Sequence, residues 1–171
     1  MNRKFWSLFF ACAFLLVTCK PESLYELSVT QGTGSGRYPA EARVSIVADV
    51  PAAHRFVAWE GDSMLLERTI QTPSFLIMPA RNAAVSAYTL PTGVVSFRHE
   101  VLPIIRLRCL GSDCHINSTR LTNFTDVAAV AGVYSKIEEY LSIGFMPLNR
   151  VMPDVEKQAM LTWIAQGRRD N

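Results

Sequence analysis

Metal-binding and redox side chains are scarce in this sequence. Its 171 residues hold four cysteines and three histidines. His54, His99 and His115 are far apart, and neither of the first two has ligand spacing to another donor, so a zinc site lacks two of its four ligands. No basic run or basic helical face survives a reading of the chain, which excludes a nucleic-acid footprint. No internal stretch reaches the roughly 20 apolar residues of a membrane-spanning helix. A catalytic triad, a carboxylate pair and a phosphate loop are all missing, and no enzyme is expected. Gly32-x-Gly34-x-Gly36 is no exception, because a strand pattern follows it where a dinucleotide site needs a helix N-terminus.

What is present starts with a leader. Arg3 and Lys4 precede an apolar run from Phe5 to Val17, too short to span a bilayer comfortably. The run ends Leu16-Val17-Thr18-Cys19, which resembles the lipobox of bacterial lipoproteins. That resemblance implies cleavage before Cys19 and lipidation at Cys19, with the membrane as a partner through the N-terminal lipid. The expected location is the cell envelope, on the periplasmic side or at the outer membrane. Loss of the leader takes two from the 17 basic residues and leaves them equal to the 15 acidic ones. It also removes Cys12, so that three cysteines remain. A hydrophobic content of 49% is enough for packed cores and argues against disorder.

From residue 24 to 90 the apolar period is two. Leu24 to Thr30, Val44 to Ala48, Arg55 to Trp59, Ser74 to Met78 and Ala84 to Tyr88 read as strands, with a turn cluster over 31–36 and another turn at Glu60-Gly61-Asp62. Trp59 is expected in the core and His54 in solvent. The glycine cluster, Val44-x-Ile46-x-Ala48, Phe56-x-x-Trp59-x-Gly61-Asp62, Met78-Pro79 and Ala87-Tyr88 together resemble a bacterial repeat domain of the divergent internalin B-repeat type. The resemblance implies a small β-grasp-like module. Glu41 stands where many members of that family have glycine.

After Leu90-Pro91-Thr92-Gly93 the period becomes helical. Helices are predicted from about His99 to Arg108, around Leu121–Ala128 up to Gly132, from Val133 to Ile143, and from Asp154 to Gln166 with Gly167 as a C-terminal cap. Pro103 falls near a first turn, where its missing N–H matters least.

Chemistry concentrates in Cys109-Leu-Gly-Ser-Asp-Cys114-His115. Cysteines five apart on a helix diverge by about 140°, so the intervening residues must loop if both thiols are to meet one ligand. Gly111, Ser112 and Asp113 suit a loop. Two cysteines with a histidine beside the second is the order that covalent haem attachment uses. With Val101-Leu-Pro-Ile-Ile, Asn123-Phe124, Gly144-x-Met146-Pro147 and Trp163-Ile164-x-x-Gly167, the stretch resembles small bacterial cytochrome c domains carrying a C-x4-C-H motif. The resemblance implies haem c held by Cys109 and Cys114, with His115 and Met146 as the iron ligands. Met152-Pro153 is a rival for the methionine, and His99 a weaker rival for a second histidine.

These readings predict a two-domain α+β protein, a small β-rich (β-grasp-like) module followed by an all-α cytochrome c-like helical domain. The expected divisions are a signal peptide over 1–18, a lipidated tether over 19–23, the β domain over 24–90, a linker over 91–95 and the helical domain over 96–171. The expected function is that of a lipid-anchored monohaem c-type cytochrome passing electrons to and from a redox protein. The alternative is a haem-free surface lipoprotein with a Cys109–Cys114 disulfide and a binding or structural role.

Overall fold

The computed structural model describes residues 22–111, 114–116, 121–124 and 126–171. The leader and Cys19, with its expected lipid, lie outside the described residues. Seven strands come first: β1 (Leu24–Thr30), β2 (Gly32–Thr33), β3 (Gly36–Pro39), β4 (Arg43–Ala48), β5 (His54–Gly61), β6 (Ser74–Ile77) and β7 (Ala83–Pro91). They form one sheet in the order β3-β1-β7-β5 and a second in the order β2-β4-β6. In β1 the alternation works as expected: Leu27 and Val29 are buried, while Glu26, Ser28 and Thr30 face solvent. β1 runs parallel to β7, with Leu27 opposite Ala83, and β5 pairs antiparallel with β7 from His54 opposite Pro91.

The inward residues of both sheets share one core of Leu27, Val29, Ile46, Trp59, Leu76, Met78 and Val85. Trp59 is 2% exposed, and its Nε1–H donates to the Gln71 carbonyl at 3.0 Å, so it is a core residue. The segment after β5 straps both sheets. The Trp59 N–H donates to the Thr69 carbonyl, and the Glu67 N–H to the Phe75 carbonyl. Backbone groups that would otherwise be open at the margins of β5 and β6 are thereby satisfied.

The glycine cluster is a packing device. A Cβ on Gly34 would lie 2.7 Å from the Ser45 carbonyl oxygen, and its φ is +114°. The predicted turn over 31–36 also hides β2 and the start of β3, because glycine-rich strands lack the alternation that marks a strand in sequence.

Four short helices follow. A π turn (Phe97–Val101) leads into α1 (Leu102–Arg108), then come α2 (Val127–Gly132), α3 (Tyr134–Ser142) and α4 (Asp154–Ala165). Pro103 sits in the first turn of α1, and the Asp126 side chain caps α2 by accepting from the Ala129 N–H. The chain breaks between α2 and α3 at Val133, one residue past Gly132. A second core gathers Phe97, Val101, Ile105, Phe124, Val130, Ile137, Leu141, Met160, Trp163 and Ile164.

The expected fold class, a two-domain α+β protein ending in an all-α cytochrome c-like domain, is corrected here. The protein is small and β-rich, with two sheets and only short helices. The helical periods in the sequence are real, but they extend over 7, 6, 9 and 12 residues. Helices this short do not build a large all-α domain. The β-grasp-like expectation likewise gives way to two small sheets joined by one core, with a single 3-10 turn (Ser63–Leu65) rather than a crossing helix.

The chain from Pro91 to Ser96 is pinned on both sides. The Thr92 N–H donates to the Ala53 carbonyl, and Gln166 accepts from the Val95 N–H and donates to the Gly93 carbonyl. Arg55 on β5 reaches the Val94 carbonyl at 2.5 Å and the Glu100 carboxylate at 2.6 Å.

Candidate functional site

α1 ends at Arg108 and delivers Cys109 as its C-terminal cap. The described residues from Leu110 to Ile116 are not helical, as the cysteine spacing requires. Gly111 contributes to this loop without a positive φ. The path is tied back on itself: the His115 N–H donates to the Cys109 carbonyl at 3.1 Å, and the Phe124 N–H to the His115 carbonyl at 2.8 Å.

These ties place the loop on a cavity of about 530 Å³, in the range of pockets that enclose an organic ligand. Cys109, Cys114, His115 and Met146 all line it. Val133, Ile137, Tyr140, Leu141 and Pro147 supply apolar wall. Met152 and Met160 line it as well, so three thioethers face one cavity. Met152 also packs on the helical core and Met160 is buried within it.

The His115 ring is oriented twice over. It stacks flat on Phe124, with centroids 4.0 Å apart and planes 3° from parallel. Its Nδ1 lies 2.7 Å from the Thr122 carbonyl oxygen. A carbonyl can only accept, so Nδ1 carries a proton, and in the neutral ring the lone pair is on Nε2. That tautomer and a fixed ring are what a metal-binding imidazole requires.

Both cysteines are free thiols, Cys109 half-buried and Cys114 exposed. Burial pushes the Cys109 thiol up to about 11, and Cys114 nearby adds to the shift. Cys109 is therefore neutral at neutral pH and a poor nucleophile by itself. Among the described residues no three His, Cys, Asp or Glu side chains converge to hold a metal ion. A metal here would have to bring most of its own ligands. A porphyrin iron would do so, and His115 and a wall thioether are the residues that could hold it.

The other sequence candidates lie elsewhere. His99 points into the β module, where its Nε2 is 3.0 Å from a Glu60 carboxylate oxygen and its ring is 5.2 Å from that of Tyr88. It is not among the lining residues. His54 is exposed on β5. Reading the sequence missed Thr122 as the partner of His115 and Lys136 and Arg150 as cavity cations. A backbone carbonyl leaves no signature in side-chain chemistry, and isolated cations look like any solvated surface.

The fold and this site define a small two-sheet β module joined to short helices that enclose an apolar cavity with two thiols and an oriented imidazole. Within it, residues 25–88 match the family model of the divergent InlB B-repeat domain. No curated protein and no solved structure matches the chain.

Proposed function

We propose that this chain carries covalently attached haem and serves as a lipid-anchored electron carrier of the bacterial cell envelope. The observation that supports the reading most is the gathering of both thiols, the adjacent imidazole and the Met146 thioether on one apolar cavity. When bound, the group supplies one-electron chemistry at its iron. Cys109 and Cys114 would be its tethers, His115 through Nε2 one axial ligand and Met146 the other. Thr122 holds the imidazole in the required tautomer and makes it a better donor. With His115 and Met146 both holding the iron, the group would supply electron carriage rather than substrate turnover. Cys19 would carry two or more acyl chains, the number that stable anchoring needs. The electron partner would be another protein of the envelope.

The test is direct. Full-length chain produced with a haem-maturation system should show a Soret band and a covalent haem stain. Met146→Ala should abolish the methionine–iron charge-transfer band, whereas Met152→Ala should keep it. Colourless protein with Cys109 and Cys114 joined would replace this reading with that of a haem-free lipoprotein.

A further inference from the structure

The cavity wall is one-sided in charge. Arg108, Lys136 and Arg150 line it, and no Asp or Glu does so among the described residues. These three cations are not equivalent. Arg108 is occupied: its Nε and Nη2 donate to the two carboxylate oxygens of Glu156 at 2.7 and 2.8 Å, which cancels its charge locally. Lys136 reaches Glu139 only at 3.6 Å, between side chains that are both mostly exposed, so that pair is weak. Arg150 makes no ion pair with a described residue. An apolar cavity that Lys136 and Arg150 line, with no acidic side chain among its described lining residues, suits a flat apolar body that carries acidic groups at its edge.

We propose that Arg150 and Lys136 form a carboxylate-binding subsite of this cavity and receive the acidic side chains of the bound tetrapyrrole. This rests on the haem reading above and extends it to residues outside the two ligands and two tethers. Arg150 is the stronger member, because its planar fork can meet both oxygens of one carboxylate and Lys136 offers a point charge. Both lie outside the C-x4-C-H loop: Lys136 is on α3, and Arg150 is between Met146 and Met152. A ligand carboxylate on Arg150 would therefore also fix the backbone that carries the distal methionine. Arg108 has a different role and serves the packing of α1 on α4.

The experiment makes binding reversible. The full chain with Cys109→Ala and Cys114→Ala is titrated with haem and with haem dimethyl ester, which has the same ring and no acidic groups. Haem should bind roughly two- to fivefold more tightly, the gain expected of charge-assisted pairs on cations that solvent reaches. Arg150→Gln combined with Lys136→Gln should remove most of that preference while leaving ester binding unchanged. Equal affinity for acid and ester, or a preference that survives the double substitution, would overturn the proposal. If neither compound gave a Soret shift, the haem reading would fall first and the subsite with it. Covalently loaded Arg150→Gln protein gives a second readout. Its reduction potential should drop, because a carboxylate that has lost its cation favours the more positive, oxidised iron. An unchanged potential would count against Arg150.

Discussion

Glu41 shows how one residue can sit against the preference of its backbone. It sits at φ +64°, in the left-handed region, while its N–H donates to the Met78 carbonyl at 2.8 Å. That conformation favours glycine over a residue with a Cβ. Glu41→Gly should keep the hydrogen bond, relieve the backbone and raise stability by roughly 0.5–1 kcal/mol, measurable by thermal or urea unfolding. His115 is the counterpart at the candidate site. Its neighbours in sequence announce a ligand, but Thr122 and Phe124 decide which nitrogen is available and how the ring stands.

At the scale of elements, two pairings join segments distant in sequence. Asp62, at the turn after β5, accepts from Arg81 at 2.7 and 3.2 Å and from the Ala84 N–H at the start of β7. The Arg81 guanidinium, followed by that backbone N–H, lowers its pKa from 3.8 to about 2. A lowered carboxylate pKa stabilises the fold above the unfolded-state value and loses that contribution as pH falls through the folded one. The contribution is full above about pH 4 and disappears as pH falls from 3.8 towards about 2. Asp62→Asn should flatten that part of the acid-unfolding curve and leave stability at pH 7 lower than in the native chain.

The Arg108–Glu156 fork does the same work for α1 and α4, between side chains that are 26% and 21% exposed. Arg108→Ala should lower the thermal midpoint, because Glu156 is left without its partner. A double-mutant cycle with Glu156→Ala should return a favourable, salt-sensitive coupling. A coupling near zero would show that the fork is a surface ornament. These pairings could not be read from the sequence, where every arginine has several acidic candidates.

For the whole molecule the joint between the β core and the helical core matters most. Gln166 clamps one side of the connecting chain and Arg55 the other, while Glu60 and Tyr88 meet His99 on the π turn. The two cores should therefore unfold together in the native chain. With Arg55→Ala and Gln166→Ala combined, Trp59 in the first core and Trp163 in the second should report separate transitions. Coincident midpoints in that variant would show that the clamp is not what couples them.

The strand alternation, the change of period after residue 90 and the crowding of Cys109, Cys114 and His115 were legible in the sequence alone, because each depends on local spacing. The same local signals overreached at the level of fold. Four helical periods suggested an all-α domain, whereas the chain forms two sheets and only short helices. Periodicity gives the direction of an apolar face and says little about how far a helix continues or what it packs against. Tertiary structure alone decided that Met146, Met152 and Met160 share a cavity, that His99 turns to Glu60 rather than to that cavity, and that Arg108 is paired with Glu156 while Arg150 has no ion pair among the described residues. Each of these depends on contacts between residues far apart in the chain, and burial and charge pairing are settled only when such contacts close.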